Sequence, residues 1–156
     1  MKTPTLLRSG LVAAALLLST QPLRAQADAC SMLKPADLTP LLGATPAATP
    51  NPSSCLWKAG DGTRKLSLSK MKATGPSAEM AFMGARQGAS RGGEGKVTDE
   101  TGIGDKAFAA LTSFGVAFVV LKQGRVMQLQ YYTGGEGTAK DVDALRPVAK
   151  KAVAAF

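Results

Sequence analysis

An α+β fold, an antiparallel β-sheet with helices packed on one face and one intramolecular disulfide, is what this sequence predicts. Three observations carry the prediction. The strand-forming runs 114–121 and 126–132 flank Lys122-Gln123-Gly124-Arg125, where Gln-Gly suits a tight hairpin turn. Val142, Leu145, Val148, Ala149, Ala152, Val153 and Phe156 recur at helical spacing and form a stripe that needs burial. Cys30 and Cys55 are the only cysteines, and they stand too far apart in sequence for a Cys-x-x-Cys redox motif.

The N-terminus sets where this fold would have to form. Lys2 and Arg8 precede or flank an apolar stretch, Leu11–Leu18, and Ala25-Gln26-Ala27 is a small-x-small cleavage site. The apolar run is shorter than the roughly 20 residues that span a bilayer, and Ser19, Thr20, Gln21, Pro22 and Arg24 follow it. Residues 1–27 therefore read as a cleaved signal peptide and 28–156 as a single α+β domain, periplasmic or secreted, with no stable transmembrane segment after cleavage. Acylation of Cys30 is the competing fate, and Asp28 fits poorly in the slot that lipoprotein processing keeps apolar or small.

Pro35 suits the first turn of a short helix over 35–42, with Leu38, Leu41 and Leu42 along one edge and Gly43 beyond its end. Residues 44–54, rich in Ala, Thr and Pro, read as a loop. A hairpin over 55–72 follows, turning at Asp61-Gly62, with Leu66 and Leu68 on one face and Ser67 and Ser69 on the other. Trp57 reads as a core ring beside the disulfide. Ser77 is placed to cap a helix to about 87, with Met80, Phe82 and Met83 as its packing side. Residues 88–95 read as a glycine-rich loop, and 101–108 as a turn entering a short strand. In the hairpin 114–132, Val116, Phe118 and Val120 face Met127, Leu129 and Tyr131, and Gln128, Gln130 and Tyr132 take the opposite face. The last helix starts near 138–143, and Pro147 implies a kink or a later start. Each half holds a hairpin followed by a helix, the outline of a loose duplication.

The oxidising compartment makes Cys30–Cys55 a disulfide, worth about 3–4 kcal/mol by chain entropy. Without histidine, two cysteines cannot supply the usual ligand set for zinc, and histidine-dependent catalysis is excluded. Neither Ser-x-x-Lys nor Gly-x-Ser-x-Gly is present, so no serine has an evident activating base. Asp99, Glu100 and Asp105 lie close in sequence, and a carboxylate-dependent hydrolase is the one enzymatic alternative they offer. The Gly102-x-Gly104 pair precedes a strand rather than a helix, which is the wrong context for a phosphate loop, and Asp105 reads as fixing a turn.

The chain carries 19 basic and 11 acidic residues; loss of Lys2, Arg8 and Arg24 with the leader leaves 16 against 11, a charge of +5. The basic residues are not interleaved with aromatic ones, which argues against nucleic acid. Cys30, Leu41-Leu42-Gly43, Cys55-Leu56-Trp57 and Gly102-Ile103-Gly104-Asp105-Lys106-Ala107-Phe108, with the terminal helix, give the chain a recognisable outline. In these it resembles a family of small exported domains of no assigned function, best represented among actinobacterial envelope lipoproteins. The resemblance implies an envelope location and supplies no active site, catalytic residue, metal or cofactor to transfer. The expected function is a non-catalytic binding or accessory domain whose partner is an envelope protein or a small anionic ligand. A structural or assembly role in contact with anionic envelope components is the alternative. The candidate binding surface comprises Lys70, Lys72, Arg86, Arg91, Gln128, Gln130 and Tyr132.

Overall fold

The computed structural model describes residues 29–43, 45–91 and 96–156. The expected leader 1–27 and residues 92–95 of the glycine-rich loop lie outside the described residues. The chain enters through a 3₁₀ turn, Ala29–Met32, and helix α1, Pro35–Leu42. Strands β1 (Ala47–Asn51), β2 (Ser54–Lys58) and β3 (Lys65–Thr74) then form a meander. Helix α2, Pro76–Arg91, leads to β4 (Val97–Glu100), β5 (Lys106–Thr112), β6 (Gly115–Lys122) and β7 (Arg125–Tyr132), and α3, Ala139–Ala155, closes the order. The strands make one antiparallel sheet, β1-β2-β3-β7-β6-β5-β4. The expected α+β class and antiparallel sheet are what the chain adopts.

The sheet buries both of its faces. On one, Leu66, Leu68, Val116, Phe118, Val120, Met127, Leu129 and Tyr131 meet α1, α3 and the 3₁₀ turn. The other packs Phe108, Ala117, Val119, Leu121 and Val126 under Ala78 and Phe82 of α2. The expectation that helices occupy one face therefore holds for α1 and α3 and is corrected for α2. Phe82 meets Phe108 edge-on with ring centroids 5.4 Å apart, and burial of such a ring is worth about 2–3 kcal/mol.

The packing side of α2 also differs from the expected one. Ala78, Phe82, Ala85 and Ala89 turn inward, and their small neighbours let the helix sit close on the sheet. Met80 and Met83 point outward at 69% and 55% exposure. The expected loop 44–54 holds an edge strand instead, β1, with all five residues exposed. Pro50 is tolerated there because an edge strand can spare one N–H. Pro147 neither delays nor ends α3: it is exposed, so the carbonyl it leaves unpaired one turn earlier can face water. Thr138 caps that helix, its Oγ1 accepting from Asp141 N at 3.3 Å while Asp141 Oδ2 accepts from Thr138 N at 2.9 Å. The two hairpin–helix units exist, but α2 and α3 lie on opposite faces of the sheet.

Three ties fasten the first segment. Cys30 and Cys55 form a disulfide with Cα atoms 5.0 Å apart, which joins the 3₁₀ turn to β2 beside the buried Trp57 and leaves Cys30 no thiol to acylate. The carbonyl of Leu41 accepts from Arg64 Nη1 at 2.8 Å and from the Tyr131 hydroxyl at 3.1 Å, closing the end of α1 onto the sheet. Burial raises the Tyr131 hydroxyl above its ordinary pKa, with Arg64 opposing, so it stays a donor at neutral pH. Asp37 of α1 accepts from Lys151 Nζ of α3 at 2.5 Å and from Lys34 N at 3.0 Å, and the two bonds lower its carboxyl pKa.

Replacing both cysteines, Cys30→Ser with Cys55→Ala, should lower unfolding free energy by about 3.5 kcal/mol, the chain-entropy value for a loop of this size, given a separation of 25 residues. Urea unfolding reads it, and a loss below about 1 kcal/mol would show that the closed loop contributes little. A second measurement follows the pH. The folded pKa of Asp37 lies below its unfolded value of roughly 3.9, so its contribution is present above that value and is lost as pH falls through the folded one. Asp37→Asn should lower the urea midpoint at pH 7, and the gap from wild type should close below about pH 4. A gap of constant size down to pH 2 would contradict that origin.

Candidate functional site

Unequal strand lengths create a concavity. β2 pairs with β3 only as far as Ser54↔Ser69, and after Lys70 N donates to Ser53 O at 2.8 Å, the rest of β3 continues beyond its neighbour. On the other side the β3–β7 register shifts between Lys70 and Thr74, an irregularity of the kind that re-aims side chains. The overhang makes one wall of an open cleft of about 550 Å³. The 3₁₀ turn brings Met32 to it, the β1–β2 turn brings Pro52, and the end of α3 brings Phe156.

The far wall is held in place by cations from the β6–β7 hairpin. Lys122 Nζ donates to Val153 O at 2.6 Å, and the Arg125 guanidinium donates to the main-chain oxygen of Phe156. Arg125 also lies over the Phe156 ring, 4.5 Å from its centroid. Positive groups at a helix C-terminus are favoured by its dipole, so this anchoring suits both partners. Lys70, Lys72 and Arg125 thus share one cleft with Met32, Met71 and Phe156, and among the described residues no acidic side chain lines it.

The expected binding surface is divided by the sheet. Lys70 and Lys72 line the cleft beside the end of α3. Arg86 and Arg91 lie on α2, across the sheet. Arg86 forks onto Asp99 of β4, with Nε–Oδ1 at 3.0 Å and Nη2–Oδ2 at 2.9 Å. Gln128, Gln130 and Tyr132 share the α2 side of the sheet, half-buried, in line with Ser69, Ser67 and Lys65 of β3. Tyr132 stacks on the exposed Phe114 with centroids 5.8 Å apart. Sequence reasoning found Lys70 and Lys72 and missed Arg125, Met32 and Phe156. The usable signal was the mismatch between a first strand beginning near Cys55 and an antiparallel partner run reaching at least Lys72.

The three clustered carboxylates are likewise separated. Asp99 faces α2 and pairs with Arg86, while its neighbour Glu100 points through the other face to α3. There Arg146 grips Glu100 at 2.7 and 3.0 Å and also reaches Asp143 at 2.6 Å, and these bonds, Glu100 first, raise the guanidinium pKa. Asp105 Oδ2 accepts from Gln123 N at 2.6 Å, and Asp105 N donates to Leu121 O at 2.8 Å. The Gly-x-Gly-Asp segment therefore latches the β6–β7 turn, where Gln123 and Gly124 both have positive φ, 49° and 66°. Gly104 lies so close to β6 that a Cβ would come within 2.7 Å of Leu121 O. Asp105 was expected to fix its own turn through nearby amides; its carboxylate instead holds a turn 18 residues downstream. Among the described residues, no cluster of three or more His, Cys, Asp or Glu is placed to hold a metal ion.

Comparisons with family models, with curated proteins and with solved structures find no match.

Asp105→Ala should cost about 0.5–1.5 kcal/mol, the net value of one hydrogen bond, because the exposed Gln123 amide can turn to water once its acceptor is gone. Thermal unfolding reads the loss, and Asp105→Asn, which keeps an acceptor, should recover part of it. Equal losses for Ala and Asn would show that the oxygen is not what matters.

Proposed function

We propose that this chain is a non-catalytic binding or accessory domain of the cell envelope, with the cleft beside Lys70 and Lys72 as its site. The single observation that carries the reading is the cleft itself, a concavity lined by Lys70, Lys72 and Arg125 with no acidic side chain among the described residues. An export-type N-terminus, the Cys30–Cys55 disulfide and the resemblance to exported envelope domains support the compartment. Among the described residues no helix is long and apolar enough to cross a membrane. The carboxylates of the hydrolase reading are tied to arginines or to the backbone and aim in different directions.

A structural or assembly role against anionic envelope components is the second reading, favoured by the excess of basic residues. Salt separates the two. Attraction between exposed charges fades as ionic strength rises, and binding inside a cleft persists. The full chain, expressed with its leader and purified oxidised, should retain one envelope component at 0.15 and at about 0.5 M salt. Lys72→Glu should abolish that retention. Retention that disappears at high salt and is indifferent to Lys72→Glu would move the assignment to the structural role.

A further inference from the structure

We infer that Met80 and Met83 form an oxidative modification site, where a peroxide converts both thioethers to sulfoxides without disturbing the fold. The site shares no residue with the lining of the cleft. The oxidisable side chains of the domain differ sharply in access. Cys30 and Cys55, the only cysteines, are joined in the disulfide. Met127 and Met32 are buried in the main core, and Met71 is half-buried against the core under α2. The lone tryptophan, Trp57, is buried as well. Met1 lies outside the described residues. Met80 and Met83, 69% and 55% exposed, are therefore the thioethers that a solvent-borne oxidant meets first among the described residues.

Residues three apart on a helix are neighbours on one face, so the two thioethers stand side by side. Gly84, Gln87 and Ser90 complete an open hollow of about 560 Å³ around them. Arg86 forms its rim, with the guanidinium held on Asp99. A Cβ built at Gly84 or Gly88 would meet nothing within 4 Å, so among the described residues no other element overhangs this face. The step balances with the peroxide alone. A sulfur lone pair attacks one peroxide oxygen, and the S–O bond forms as the O–O bond breaks. The departing hydroxide takes the proton of the transferred oxygen and leaves as water. Sulfur gives up two electrons, and the peroxide accepts them. Ala78, Phe82, Ala85 and Ala89, the packing side of α2, lie on the other side of the helix, so the added oxygens point to water. An oxygen on Met127 would instead enter the main core. The outer face of α2 is thus apolar when reduced and polar when oxidised.

The test treats the disulfide-bonded protein with limiting hydrogen peroxide and follows each methionine by peptide mass spectrometry. Met80 and Met83 should each gain one oxygen about tenfold faster than Met32 and Met127, with Met71 between the two groups. The thermal midpoint of the product should stay within about 3 °C of the untreated protein. On a hydrophobic-interaction column the product should elute earlier than the untreated protein, alongside the double variant Met80→Gln with Met83→Gln. The double variant Met80→Leu with Met83→Leu keeps the face apolar and should take up about tenfold less oxygen under the same exposure. Equal rates from Met32 to Met127, or Met71 ahead of the helix pair, would overturn the site. Undiminished oxygen uptake by the leucine variant would do the same. A midpoint lowered by more than about 3 °C would show that oxidation reaches the packing, against the claim that the fold tolerates it. Unchanged elution would refute the change in polarity.

Discussion

The burial of β6 on both faces is the constraint on which the rest of this structure depends. Every residue from Gly115 to Leu121 is buried, and alternate side chains feed two separate cores. Val116, Phe118 and Val120 need α3 above them, and Ala117, Val119 and Leu121 need α2 below. Remove either helix and a strand at the centre of the sheet presents its apolar residues to water, at about 25 cal/mol for each Å² exposed. The neighbours of β6 inherit the arrangement through register. Phe118 sits across from Leu129 and Ala109, Val119 across from Gln128 and Phe108. The sheet grades outward from this doubly covered centre to edge strands, β1 and β4, that bury little.

Polar contacts then place the helices that the apolar centre requires. Leu41 O accepts from Arg64, just before β3, and from Tyr131 of β7, which adds to the Gly43 N–H bond to Thr39 O that closes α1. The Glu100 side chain is only 6% exposed and shares two bonds with Arg146, which ties an edge strand to α3. Loss of one partner there would leave a nearly buried charge, a larger penalty than an exposed pair such as Lys106–Glu79 could incur. The two arginine forks, Arg86–Asp99 and Arg146–Glu100, use consecutive residues of β4 to fasten helices on opposite sides. A strand of four residues is held in the sheet largely because it serves both layers.

What the sequence made legible follows from where periodicity and burial agree. Helix α3, the β6–β7 hairpin, its Gln123-Gly124 turn and the core role of Trp57 all lie where an apolar pattern meets a matching partner. The second face was legible in principle: Val116 to Leu121 is apolar throughout, as expected of a strand covered on both sides, and alternation alone hides that. Met80 and Met83 misled because methionine is apolar, while alanines 78, 85 and 89 with Phe82 make the closer-packing stripe. β1 was hidden by its composition, since Ala, Thr and Pro become a strand only when β2 offers a ladder.

The cleft was the least legible feature, and the reason is physical. Lys70 and Lys72 look equivalent in sequence to Arg86 and Arg91, four cations around one helix. They are separated because β3 runs past the end of β2 and shifts register against β7, which brings Lys70 and Lys72 to the end of α3 while α2 carries the arginines over the opposite face. No single-strand pattern records how far one strand outlasts its neighbour; that depends on turns at both ends of the pair. The same overhang leaves part of β3 without a lateral partner, and the end of α3 is drawn beside it by Lys122 and Arg125. Concavity and positive charge therefore have one cause, a sheet whose strands do not end together.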